Sequence, residues 1–346
     1  MKLTHGLLAL AVAGMAALPF AGPAVAADYK DEYKISTVVP APFPWGIAAE
    51  EWAKLVGERT NGRIKMKVYP GASLVAGDQT KELPAMRQGI IDAAVGSTIN
   101  WSPQIKELNI FTMPFLMPDE AALDALTQGP VGAKLFELVA KQGVVPLAWA
   151  ENGFREVSNS KRPIRTPEDL KGLKMRVVGS PLFNDTFTAL GANPTQMSWA
   201  DAKPALSTGA VDGQENPLSI FRISNMHEVG QKYLTLWHYV ADPLIFAVNQ
   251  RAFDSWTPED QAIVRQAALD AGAHGIKVAR TGITAQDPAL INEIKGLGVE
   301  VTELTPEQRE AFVAATRGVY ATWKDRIGAD LVDMAEKSVA ERAKGN

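Results

Sequence analysis

Gly153-Phe154-Arg155, Thr166-Pro167-Glu168-Asp169-Leu170-Lys171-Gly172-Leu173-Lys174-Met175-Arg176-Val177 and Val211-Asp212-Gly213-Gln214-Glu215-Asn216-Pro217 all fall between residues 151 and 217. Short apolar strands here end in Arg155, Arg176 and Asn216, and Trp199 opens a helix between them. An arginine fork donates two parallel hydrogen bonds and stays charged, which suits it to a carboxylate. Each residue also has a plainer reading. Arg176, between Met175 and Val177, is an exposed face of a strand; Arg155 is a solvated loop charge. Asn216, before Pro217, is a turn residue, and Trp199 is core.

On either side of this stretch, strand and helix alternate. Ile35–Val39 reads as a strand broken by Pro40, Pro42 and Pro44, in a loop carrying Phe43 and Trp45. A helix over 48–59 stops at Asn61-Gly62. Strands are expected at 64–68, 91–95 and 144–150, the second ending in Gly96-Ser97-Thr98, with helices at 78–88, 119–127 and 131–142. The second half repeats the pattern: strands at 173–178, 211–214, 234–239 and 244–249, and a helix over 181–190. Thr-Pro openings at Thr166, Thr257 and Thr305 each carry an acid or amide at the third helical position, a helix-start signal without chemical meaning. This grammar belongs to an α/β fold with mostly parallel sheets. Ligands in such sheets bind at the carboxyl ends of strands, so the loops at 40–45, 96–101 and 151–155 are the first places to look.

Composition narrows the function. Lys2, the apolar run 7–17 and Ala24-Val25-Ala26 form an export signal, with cleavage expected after Ala26. No later stretch is apolar for long enough to span a bilayer. The net charge of −4 argues against a nucleic-acid surface. With no cysteine, disulfides, thiolate metal sites and cysteine nucleophiles are excluded. The four histidines, at 5, 227, 238 and 274, leave little for a histidine metal site. No Gly-x-Ser-x-Gly elbow, His-Glu-x-x-His helix or phosphate-binding Gly-x-x-x-x-Gly-Lys occurs. An exported binder rather than an enzyme, needing no metal or cofactor, is the simplest expectation. Two rivals stay open: a binding protein for an ATP-driven importer or sensor kinase, and an exported hydrolase or lyase with Glu151 and Glu215 as paired carboxylates.

Taken together, Gly153-Phe154-Arg155, Thr166–Val177, Gly191-Ala192-Asn193-Pro194-Thr195 on to Trp199, and Val211–Pro217 resemble the solute-binding proteins of TRAP (tripartite ATP-independent periplasmic) transporters, the C4-dicarboxylate-binding family. The most specific element is Asp-Gly-Gln-Glu-Asn-Pro with Arg176 upstream. The resemblance implies a two-lobed α/β flytrap with crossing strands and a long lobe-spanning helix, the one opening at Thr257. Residues 1–26 would be the signal peptide, 27–152 plus 241–280 one lobe, and 153–240 plus 281–346 the other. It implies a periplasmic protein that captures a small organic acid and delivers it to TRAP permease subunits. Arg176 would grip the carboxylate, Arg155 and Asn216 assist, and Trp199 cover the ligand. Phe43, Trp45, Ser97 and Thr98 would close from the opposite lobe.

One departure bears on the ligand. After Tyr233-Leu234-Thr235-Leu236 many members carry Thr-Asn-His, and here the residues are Trp237-His238-Tyr239. If that segment is a pocket wall, with His238 and Tyr239 facing the ligand, its ring faces suit an aromatic acid or a sugar acid better than a small dicarboxylate. The alternative is that Trp237 is core.

Overall fold

The computed structural model describes residues 29–342; the expected signal peptide lies outside them. Eleven strands are present among the described residues: β1 (Tyr33–Ser36), β2 (Met66–Tyr69), β3 (Ala93–Ser97), β4 (Val144–Phe154), β5 (Glu156–Asn159), β6 (Lys174–Val177), β7 (Asn193–Gln196), β8 (Gly213–Asn216), β9 (Tyr233–Leu236), β10 (Ala241–Asn249) and β11 (Glu300–Glu303). They form two sheets, one ordered β2-β1-β3-β10-β4 and the other β11-β9-β5-β8-β6-β7. In the first sheet β10 runs antiparallel to its neighbours β3 and β4; in the second β5 does so against β8 and β9. The remaining pairs are parallel.

Both sheets are covered on both faces, as parallel sheets must be. Helices Pro44–Arg59 and Pro258–Ala279 cover one face of the first sheet, and Glu82–Gln88, Glu120–Thr127 and Pro130–Ala140 the other. In the second lobe Pro181–Ala189 and Pro306–Ile327 share one core, and Trp199–Ser207, Leu218–Ile223 and Ala289–Gly296 contribute to the other. Thr257 and Thr305 accept from the N–H groups of Asp260 and Gln308, so those openings do cap helices.

The lobes are joined where strands pass from one sheet to the other. β4 continues through Arg155 into β5, and β9 returns through 237–240 into β10. The crossing segments pair where Arg155 N–H donates to the Val240 carbonyl at 3.0 Å. Gly153 there has φ +126° and lies against Pro217, a conformation and a closeness that only glycine accepts without strain. The helix opening at Thr257 packs along Pro44–Arg59 and β4. Pro306–Ile327 packs on Pro181–Ala189 of the second lobe and on the 3₁₀ segment Lys106–Thr112 of the first. The carboxyl-terminal helix Ala329–Arg342, placed by the sequence reading in the second lobe, instead packs on Glu120–Thr127 and Pro130–Ala140 of the first. Its buried Val332 and Ala335 join that apolar core, and this drives the chain back across the molecule.

Candidate functional site

The carboxyl ends of β1, β3, β6 and β8 face one another across the interlobe space. They bound a cavity of about 320 Å³ lined by Val38, Val39, Trp45, Gln79, Ser97, Asn100, Asn152, Arg155, Arg176, Val178, Trp199, Asn216, Ile220 and Asp242. Each of the three loops singled out beyond strand ends contributes a wall residue: Trp45, Asn100 and Asn152.

Arg176 is 1% exposed. Its Nε donates to the Met197 carbonyl at 3.0 Å, its guanidinium carbon lies 5.7 Å from the Trp199 ring centre, and its Nη1 has no hydrogen-bond partner among the described residues. No carboxylate pairs with it among the described residues. Burial lowers its pKa to about 10; Glu215 opposes the shift and the like charge of Arg155 adds to it. A buried guanidinium left this way is costly, and an anion placed beside it would recover the cost.

Arg155 is placed quite differently. Its Nε and Nη2 both donate to the Glu215 carboxylate, Nη2 also reaches the Glu215 carbonyl, and Nη1 donates to Asp242 at 2.9 Å. Four of its five N–H donors are thereby consumed. Burial alone would lower its pKa, but Glu215 and Asp242 outweigh burial and hold it above its ordinary value. Arg155 therefore stands at the cavity edge chiefly as the tie between the lobes. Asp242, beside a β-bulge at Asp242/Pro243, also accepts from Ser97 Oγ and from Asn152 Nδ2. Thus the Asp242 carboxylate, on β10, gathers β3, β4 and the crossing at Arg155.

Asn216 donates to Gln214 and lines the cavity, as do Trp45, Ser97 and Trp199. Trp45 Nε1 is used on the Val95 carbonyl, so its ring rather than its N–H faces the ligand space. Four expected residues do not line the cavity. Phe43 is half-buried against the core under Pro44–Arg59, with which the β1 loop packs. Thr98 is fully buried at the start of a short helix. His238 Nδ1 lies 3.2 Å from a Glu156 carboxylate oxygen beside a second cavity behind the crossing. Tyr239 donates to Glu215 at 2.8 Å, and its ring lies 4.3 Å from that of Trp237. Both rings pack with Phe115 and Phe187 in the core of the second lobe. The bulky Trp237-His238-Tyr239 segment is therefore core and crossing, not pocket wall, and the ring-face argument for an aromatic or sugar acid loses its basis.

The suspected carboxylate pair does not converge either. Both Glu215 oxygens are held by Arg155 and Tyr239, and Glu151 is held by Arg280, which also pairs with Asp124. Neither acid lines the cavity.

Opposite Arg176 the lobes touch. Trp199 N–H donates to Gln79 Oε1 at 2.9 Å, and Ser180 Oγ donates to Asn109 at 3.0 Å. Gly179 lies so near Thr80 that a Cβ there would meet Thr80 Cγ2 at 2.7 Å. Gln79 and Thr80 come from a 3₁₀ turn, Gln79–Lys81, that sequence patterning merged into a longer helix.

Two lobes closing on an enclosed, unpaired guanidinium define a solute-binding protein. Residues 35–326 match the family described as bacterial extracellular solute-binding protein, family 7, and the chain belongs to that family. A TRAP periplasmic solute-binding protein from Ralstonia eutropha H16, solved with bound (S)-2-hydroxy-2-methyl-3-oxobutanoate, is 62% identical, with a TM-score of 0.89 over 90% of this chain and 100% of that one. A sugar acid binding protein from Advenella mimigardefordensis, solved with galactonate, is 29% identical, with a TM-score of 0.84 over 90% of this chain and 98% of that one. The 2,3-diketo-L-gulonate-binding periplasmic protein of Escherichia coli K12 is 33% identical over 99% of this chain and 97% of its own. The chain is thus a solute-binding protein of the TRAP type, with the two-lobed α/β fold of that group.

Proposed function

We propose that this protein captures a short-chain monocarboxylic acid in the periplasm and hands it to a TRAP permease. The observation that carries the reading is Arg176, one buried guanidinium with free donor capacity in an enclosed interlobe cavity. One free fork matches one carboxylate; the second arginine is already neutralised by Glu215 and Asp242. Val38, Val39, Val178 and Ile220 supply apolar wall, which suits a short branched carbon skeleton. The neighbour at 62% identity was solved with a five-carbon acid of this kind. The export signal read at the amino terminus supports the compartment, and the family supports the permease.

Binding proceeds without covalent chemistry. The acid docks on Arg176, and hinge closure at 154–156 and 237–240 brings Gln79 and Thr80 against Trp199 and Gly179. Water leaves the site, and the ion pair strengthens in the lower dielectric. Micromolar affinity requires about 8 kcal/mol, within reach of a charge-assisted pair plus apolar burial after ordering costs.

Isothermal titration of the mature protein with 2-hydroxy-2-methyl-3-oxobutanoate, succinate and galactonate tests the reading. The first should bind at micromolar Kd or tighter and the other two at least tenfold more weakly. Tighter binding of succinate would show that a second cation site exists and refute the monocarboxylate reading.

A further inference from the structure

The cavity contains two further buried amides with one atom unpartnered among the described residues, Asn100 Nδ2 and Asn152 Oδ1. Both residues are at most 2% exposed. Buried polar atoms are normally hydrogen-bonded, so each unpartnered one calls for an explanation.

The surrounding network fixes which way each amide faces. Trp199 N–H is a backbone donor and can only be met by the Gln79 oxygen. That leaves Gln79 Nε2 to donate, and it does so to Asn100 Oδ1 at 2.8 Å. Asn100 is therefore oriented with its NH₂ group unspent. On the other side, Asp242 is a carboxylate already accepting from Arg155, so Asn152 must offer it a donor, Nδ2 at 2.8 Å. Asn152 is thus left with a free acceptor. One end of this chain of reasoning is a backbone N–H and the other a carboxylate, neither of which can reverse its polarity.

We infer that Asn100 and Asn152 are specificity-determining residues of this site: Asn100 Nδ2 donates to a carbonyl oxygen of the bound acid, and Asn152 Oδ1 accepts from its hydroxyl. The inference rests on the carboxylate reading of Arg176 and extends it. Arg176 reads the acid group, Asn100 an acceptor and Asn152 a donor, which together describe a hydroxy-oxo monocarboxylate. An acid without a hydroxyl leaves Asn152 Oδ1 buried and unpaired, and such a group is rejected more strongly than a missing methyl. The Asn100 half also depends on closure, because Trp199 of the second lobe sets the orientation of Gln79 and Asn100 of the first.

The test is calorimetric titration of the whole mature protein with three acids of one skeleton. 2-Hydroxy-2-methyl-3-oxobutanoate carries both groups, 2-hydroxy-2-methylbutanoate lacks the carbonyl oxygen, and 2-methylbutanoate lacks both. Each deletion should weaken binding about 10- to 100-fold. In Asn100→Leu the first ratio should collapse towards one while the second persists, and in Asn152→Leu the reverse. Should either variant fail to fold, the ligand series on the unaltered protein still decides. Three acids bound with equal affinity would overturn the inference and leave the carboxylate reading standing. Asn152 also borders the second cavity behind the crossing, and an unchanged second ratio in Asn152→Leu would place its oxygen there and remove it from the site. No binding by any of the three would overturn the carboxylate reading and this inference with it.

Discussion

Replacing Gly179 by alanine should impair ligand binding without harming the fold. The added Cβ would stand 2.7 Å from Thr80 Cγ2, where ordinary contact needs 3.4–4 Å, so something must yield by about an ångström. Thr80 cannot easily turn away. It is β-branched, its Oγ1 donates to Asp78 Oδ1 at 2.6 Å, and its N–H donates to the same oxygen. The lobes must therefore part slightly at this point. Overpacking of this kind costs about 1–3 kcal/mol, and only the closed form bears it. Affinity for 2-hydroxy-2-methyl-3-oxobutanoate should accordingly fall about 5- to 150-fold by titration calorimetry, at 1.4 kcal/mol per factor of ten. The thermal midpoint of the unliganded protein should change little. Adding Thr80→Ser removes the opposing methyl and should restore affinity to within about threefold, a coupling that a double-mutant cycle measures. Unchanged affinity in Gly179→Ala would show that this approach is no part of the bound state. A midpoint that falls in step with affinity would locate the damage in the fold instead.

Further substitutions separate binding from stability. Arg176→Lys keeps the charge but loses the fork and should weaken binding at least 100-fold by titration, about 2.7 kcal/mol. Arg176→Met should abolish binding and yet stabilise the unliganded protein by about 1–3 kcal/mol in urea unfolding, because it removes a buried unpaired charge. Arg155→Met should do the opposite, costing about 3–5 kcal/mol of stability by stranding Glu215 and Asp242. Glu82 is fully buried, accepts from Ser36 alone, and burial raises its pKa to about 7. Between pH 4.5 and 7 the folded state holds a proton there that the unfolded state releases, so stability falls as pH rises through that window. Glu82→Gln should flatten this dependence and stabilise the protein by about 2–3 kcal/mol at pH 8, with little change at pH 4.

Strand-helix alternation made the α/β class legible, and the rule about strand ends led to three of the loops that wall the cavity. Arg176 was legible only through the family resemblance, because on pattern alone an arginine between Met175 and Val177 reads as the exposed face of a strand. Its unpaired state was not, because pairing is decided by Glu215 and Asp242, 60 and 87 positions from Arg155, which pair with that arginine and not with Arg176. The misplacement of Trp237 and Tyr239 has a simple cause: a bulky apolar segment beside a presumed site reads alike whether it faces ligand or core. Thr98 and Phe43 were placed by proximity in sequence to Ser97 and Trp45, but strand and helix alternation turned them away. Asn100, Asn152 and Gln79 gave no signal beyond position, since an amide is equally at home in a turn. The return of 329–342 to the first lobe depends on tertiary apolar contacts that no local pattern encodes.

The most direct measurement is a crystal structure of the mature protein with 2-hydroxy-2-methyl-3-oxobutanoate bound. The predicted result is a carboxylate within hydrogen-bond distance of the Arg176 guanidinium, between lobes that touch at Gln79–Trp199. A carboxylate held elsewhere, with Arg176 Nη1 still without an anion, would contradict the assignment.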